Sequence, residues 1–388
     1  MSPGIWHQAC CCAKGQWWPF IVSYEAAAPY KPVIFYPKVP EGFDEEVLDW
    51  ASLHSDQLIA CAYRKIGTAW CPSLLWCETP DYKLVLATKY PLAGWYCEEI
   101  KVGGSNLLGR PNRLLFNDTE PDVEARVWYR SAVSPYGSYR ANYDETTHTW
   151  SSLSLDADSD FYLLFRQGAA MPLDGSGSEW CSPIYQYSFS PYRMIVKAGT
   201  YSGDLDILWD APYGTGAAIS VTSGNVPCVA LGSEAHKPPP YDSYIILKRR
   251  TGPGNWTTHD VRSEADTYIG VKSCAIDLND RVFIVWVRGI SPSTLDPKEL
   301  WCSHAVIDEW EWTHELVDTT GSVPVSYASI GIDQMGNASM IVQDPNDPLR
   351  NIIPYVRIGG SWRKKAPTAH ATALQARAAD FADLPAGL

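Results

Sequence analysis

The sequence lacks most of the features that announce a function. It has no run of 18 apolar residues, about the length a helix needs to cross a bilayer, so membrane insertion is not expected. Its start, MSPGIWHQACCCAKG, has neither the basic n-region nor the long apolar h-region of a secretory signal. The expectation is a protein made in the cytoplasm and either kept there or released by lysis. Positive charge is scarce: 31 Lys and Arg against 44 Asp and Glu leave a net charge of −13. Nucleic-acid binding is dominated by cations that neutralise phosphates, so no nucleic-acid partner is expected, and anionic membranes are disfavoured for the same reason. There is no GxSxG, no Walker loop and no HExxH. No CxxC pair has zinc-finger spacing, and no metal or cofactor is expected. Stretches with helical apolar periodicity are few.

Aromatic residues and turn formers fill the space. The chain holds 17 Trp, 22 Tyr, 28 Gly and 29 Pro in 388 residues. In SYASIGIDQMGNASMIVQDPNDPLRNIIPYVRIGGSW, Ser326 to Trp362, two short apolar runs flank a turn at Asp333, Gly336 and Asn337. A polar loop, a third run, Gly359-Gly360 and a Trp opening a fourth run follow. Short strands joined by Gly, Asn and Asp turns read as an antiparallel meander. The same order recurs at Ser273 to Trp312 and at Ala217 to Trp256. Trp95, Trp150, Trp256, Trp312 and Trp362 each open a last strand, with gaps of 55, 106, 56 and 50 residues. The double gap leaves one Trp replaced near Tyr201. Four strands per unit at such a period are the signature of β-propeller blades.

The expected fold is therefore all-β, a propeller with six visible four-stranded blades over residues 17–366 and room for a seventh at 17–48. Pairing of N- and C-terminal strands would close such a ring and remove its open edge. Residues 1–16 read as a Cys-rich arm. Residues 367–388 read as a tail whose ATALQARAADFADL favours helix, with Leu374, Ala378 and Phe381 on one face. Eleven Cys is an odd number. Those within LIACAY, SCAID and PCVAL suit a packed thiol. The consecutive Cys10, Cys11 and Cys12 suit packing, pairing between chains or a metal. His314-Glu315 and His259-Asp260 hold equivalent places in two closing strands, which points to one repeated outer-strand role. Asp156, Asp158 and Asp160 alternate, as a Ca²⁺-binding strand or a solvated loop would.

Two resemblances follow from these residues. The turns at Asp333 and Asp277 resemble the Asp-box repeats of sialidase-like propellers, where the Asp ties the backbone N–H groups of a hairpin turn. That family's catalytic set includes three arginines and a Tyr with a Glu partner, and the chain lacks its early Arg-Ile-Pro motif. The segment EARVWYRSAVSPYGSYRANYDETTHTW is similar to the repeat of six-bladed fucose-type lectins. The likeness implies a sugar site at Glu124, Arg126, Trp128, Tyr139, Arg140 and Trp150, while the packing alternative places Trp128 and Trp150 between blades.

The blades share scaffold residues and no reactive set, so the expected protein binds or builds and is not an enzyme. The first expectation is a structural component of a virus or phage particle, at its tail or capsid surface. Its arms, with Cys10, Cys11, Cys12, Leu374 and Phe381, would join other copies or other structural proteins. The alternative is a lectin-like propeller that meets cell-surface glycans. A sialidase-like glycoside hydrolase is third.

Overall fold

The computed structural model describes residues 6–7, 11–12, 16–25, 31–37, 43–51, 53, 59–66, 69–116, 125–133, 137–144, 146–156, 166–167, 169–170, 180–181, 184–186, 193–200, 206–212, 214–224, 226–234, 242–252, 254–265, 267–277, 279–289, 297–319, 328–332, 336–343, 351–368 and 374–384. Every regular element among them is a strand. The chain divides into two compact units. One joins Cys10–Asp160 to His370–Leu388, and the other joins Met1–Ala9 to Phe161–Ala369.

In the unit built on Cys10–Asp160, two four-stranded antiparallel meanders follow one another. The first runs Ile59–Ile66, Ala69–Glu78, Lys83–Tyr90, Gly94–Glu99, and the second Gly109–Phe116, Ala125–Ser131, Ser138–Asp144, Thr149–Asp156. A five-stranded sheet completes the unit. Its order is Cys11–Cys12, Leu374–Leu384, Gln16–Glu25, Pro32–Pro37, Phe43–Val47. Here the structure corrects the sequence reading. The C-terminal segment is not a helix but an 11-residue strand, antiparallel to Gln16–Glu25 over a register that runs from Leu374↔Glu25 to Leu384↔Gln16. Its Ala-rich composition carries a helical propensity of only tenths of a kcal/mol per residue. Leaving the backbone of Gln16–Glu25 unpaired along one edge costs more than that sum. The expected pairing of N- and C-terminal strands is thus present in this sheet.

In the other unit, three more meanders stand in sequence. The third runs Gly214–Val221, Pro227–Glu234, Asp242–Gly252, Asn255–Ala265. The fourth runs Ile269–Ile276, Arg281–Gly289, Pro297–Val306, Thr313–Thr319, and the fifth Ala328–Ile332, Ala338–Gln343, Ile352–Ile358, Ser361–Lys364. A further sheet around Arg193–Thr200 is less regular. Four-stranded meanders in series are the blades of a β-propeller.

Local chemistry explains the turns. Asp277 Oδ1 accepts the backbone N–H groups of Asn279 at 2.9 Å and Arg281 at 2.8 Å. That pins the hairpin between the first two strands of the fourth meander, and Asp280 takes the left-handed conformation at φ 55°. An Asp side chain that bonds its own backbone two residues on is a known turn former. In the fifth meander, Asp333 lies outside the described residues, and Gly336 sits at φ 78°. The cores lie between sheets. Val22 and Ile34 of the five-stranded sheet, with Leu48 just beyond it, join Ile59, Leu74 and Trp76 of the first meander. Ala230, Ile245 and Leu247 of the third join Ile269, Cys274 and Trp286 of the fourth. First strands are mostly buried, and wholly so in Ile269–Ile276 and Ala328–Ile332, whereas closing strands alternate, as in Asn255–Ala265. That gradient is the reason the outer strands carry the polar chemistry.

Candidate functional site

The closing strands repeat a short pattern. Trp95 and Glu98 stand three residues apart, as do Trp312 and Glu315, and Phe43 and Glu46. An odd spacing on a strand puts two side chains on opposite faces. Among the described side chains, Glu46 and Glu315 each turn to the Trp of the meander that follows. Two complete clasps result.

In one, Glu46 reaches from Phe43–Val47 to the first meander. Its Oε1 accepts Trp95 Nε1–H at 3.0 Å, and its Oε2 accepts Lys89 Nζ at 2.8 Å and Tyr36 Oη–H at 2.7 Å. Lys89 stands directly opposite Trp95 in register. In the other, Glu315 reaches from the fourth meander to the fifth. It accepts Trp362 Nε1–H at 2.9 Å, and Arg357 grips it with Nε at 2.9 Å and Nη2 at 2.7 Å. Arg357 again stands opposite its Trp. Phe283 lies under the guanidinium, 5.9 Å from ring centroid to Cζ.

Between the third and fourth meanders the pattern changes. His259 occupies the carboxylate's place and stacks on Trp310 at 3.5 Å, and the buried Trp312 Nε1 has no hydrogen-bond partner. A separate ion network spans this contact. Glu264 accepts Arg262 Nη2 at 2.6 Å and also binds Arg288 Nε, while Arg288 Nη1 donates to Glu299 at 3.1 Å.

The two complete clasps differ in access. The side chains of Arg357 and Glu315 are each 15% exposed, whereas Lys89 and Glu46 are 35% and 30% exposed. Arginine's planar fork fills both carboxylate oxygens and seals the contact, while lysine is a point charge on a flexible stem. Beside the open clasp lies Trp50, half exposed, with its ring 6.4 Å from Trp95 and 5.9 Å from Trp76. Lys89 Nζ sits 4.5 Å above the Tyr36 ring. The open clasp thus brings flat apolar faces, an ammonium, a phenol and a carboxylate close together.

Charge states follow from the contacts. Burial pushes the Glu46 carboxyl up, but hydrogen bonds from Lys89, Tyr36 and Trp95 outweigh it and hold the group below its usual range. Burial, then the hydrogen bond to Glu46, raises the Tyr36 phenol well above its ordinary value, so it stays protonated and donates.

Of the six residues implied by the lectin likeness, the five described ones are split between two faces of the second meander. Arg126, Trp128 and Arg140 share one face of the second meander, and Trp128 lies in register between Arg113 and Arg140. All three are buried, Trp128 to 3% exposure. Tyr139 and Trp150 are on the opposite face, where Tyr139 stacks on Tyr129 at 5.6 Å and Trp150 meets Tyr143 at 5.1 Å. Glu124 lies outside the described residues. Of the arm residues, Cys11 pairs in parallel with Phe381, Cys12 continues that pairing, Leu374 pairs with Glu25, and Cys10 lies outside the described residues. Among the described residues no group of His, Cys, Asp and Glu could hold a metal ion. Asp158 and Asp160 lie outside the described residues. Sequence reading missed Glu46, Lys89 and Trp50. The available signal was the three-position spacing that Phe43 and Glu46 share with Trp312 and Glu315.

No protein-family model and no curated protein sequence matches the chain. Solved structures do resemble it. A lectin of Aleuria aurantia, in complex with α-methyl-L-fucoside, aligns with a TM-score of 0.50 at 11% identity, over 81% of this chain and 96% of that one. An ulvan lyase bound to -[GlcA(1-4)Rha3S]- aligns at 0.51 and 11% identity, over 79% and 82%. A mutant puromycin hydrolase complexed with PGG aligns at 0.55 and 12% identity, over 94% of this chain and 54% of that one. At such identity the likeness shows the β-propeller fold alone. It does not single out sialidase-type repeats.

Proposed function

We propose that the chain is a carbohydrate-binding β-propeller whose cleft lies between Phe43–Val47 and the first meander. One observation carries the reading: half-exposed Trp50 stands beside the open Glu46–Lys89–Tyr36–Trp95 clasp. An aromatic face takes the C–H side of a sugar ring, while a carboxylate and an ammonium exchange hydrogen bonds with its hydroxyls. Binding is favoured over turnover by the state of the groups. Tyr36 is held protonated by burial and Glu46, the reverse of an activated nucleophile. Glu46 already serves three donors. The fold neighbours include proteins that bind or act on sugars, which agrees with the reading. The particle-assembly reading rested on free arms. Cys11–Cys12 pairs with Leu374–Leu384 within one sheet, so that reading is set second.

A glycan array followed by titration calorimetry tests this. Trp50→Ala is expected to weaken the best glycan at least about tenfold, a loss of roughly 1.4 kcal/mol, with unchanged unfolding temperature. A ligand bound equally by wild type and Trp50→Ala, or no glycan bound at all, would overturn the assignment.

A further inference from the structure

The sealed clasp contains a contradiction that protonation can resolve. His304 Nε2 lies 3.1 Å from Glu315 Oε1 and 3.2 Å from Arg357 Nη2. The guanidinium can only donate, and the ionised carboxylate can only accept. A ring nitrogen carries either one lone pair or one N–H. It can therefore satisfy Arg357 or Glu315, but not both.

We propose that His304 is a proton-operated latch between the fourth and fifth meanders. Neutral, its Nε2 accepts from Arg357 and holds the guanidinium in the clasp. Protonated, it donates to Glu315, competes with Arg357 for Oε1, and sets a second cation against the guanidinium. The groups around it are known from each side. Glu315 and His314 come from its own meander's closing strand, and Arg281 from the second strand. Arg357 comes from the fifth meander, and the Phe283 ring lies 5.3 Å away. The imidazole is only 14% exposed, so water cannot absorb the added charge.

The direction of the effect is fixed. Burial holds the imidazole below its ordinary 6.5, and Arg357 adds to this, while Glu315 opposes it. The unfolded or opened form therefore takes the proton more readily. The clasp is intact above about pH 6.5 and loses stability as pH falls from there through the folded-state value. Glu315 is itself held below its ordinary 4.5, where burial is outweighed by bonds from Arg357 and His304. Its own loss comes in a lower pH window.

Hydrogen exchange of the full chain, corrected for the intrinsic pH dependence of exchange, tests the latch. Thr313–Thr319 and Ser361–Lys364 should lose protection between pH 7.5 and 5.5 relative to the first meander. His304→Gln can accept from Arg357 and donate to Glu315 at once, so it should remove that loss. In the wild type, the Trp362 indole and Arg357 Nε–H resonances should shift with the same midpoint as the His304 ring. Superimposable exchange profiles for wild type and His304→Gln would overturn the proposal. So would Trp362 and Arg357 signals that ignore the His304 titration, a readout that holds even where the variant fails to fold.

Discussion

Removing the carboxylate from each clasp separates burial from chemistry. Glu315→Ala leaves Arg357 with no counter-charge at 15% exposure and strips Trp362 Nε1 of its acceptor. Breaking a buried ion pair by removing one partner costs about 3–5 kcal/mol. The residual exposure of both side chains puts this case at about 3 kcal/mol. Unfolding entropy near 2 cal/mol/K per residue, for a unit of about 220 residues, converts that to a fall of roughly 7 °C. Glu46→Ala removes one contact each from Lys89, Trp95 and Tyr36, but Lys89 is 35% exposed and can turn its ammonium into water. Exposed pairs are worth about 0–1 kcal/mol, so its unit should fall by less than about 3 °C. Scanning calorimetry of the two variants and the wild type reads both transitions. Equal losses would refute the argument, because the two clasps share their chemistry and differ in access. A loss under about 1 °C for Glu315→Ala would refute it as well.

Two further outcomes are expected. Ending the chain at residue 369 deletes Leu374–Leu384 and leaves Gln16–Glu25 unpaired along one edge. Calorimetry should show the loss of one cooperative transition, and an unchanged thermogram would mean that this strand contributes nothing. Trp128→Ala opens a cavity at a side chain only 3% exposed, at a cost of about 3–5 kcal/mol. The variant should melt earlier or fail to fold. Intact stability with lost glycan binding would instead make Trp128 the sugar platform.

Local features of the fold were legible because their causes are local. The Asp277 turn forms from an Asp and the two N–H groups just beyond it. The recurring Trp marked the closing strand correctly at Trp95, Trp150, Trp256 and Trp362, each within or at the edge of a fourth strand. Other features were misread where a distant partner overrode a local preference. Residues 374–384 favour helix by composition, yet their backbone completes the sheet of Gln16–Glu25, hundreds of residues away in sequence. Ala69–Glu78, AWCPSLLWCE, was not read as a strand, since its Pro and its mixed pattern hide a segment held between Ile59–Ile66 and Lys83–Tyr90.

The sequence by itself determined the alternation. With Trp312 and Glu315 three positions apart, the two must face opposite sides of a strand, whatever the fold. Only the tertiary structure decided which side chain each one meets. Glu315 and Trp362 are 47 residues apart, and Glu46 and Trp95 are 49 apart. Both meetings exist only because successive sheets stack face to face. The same stacking fixed access, and it left Arg357 sealed and Lys89 open although both serve a glutamate. That difference in solvent, which no spacing encodes, divides a sealed clasp from an open one.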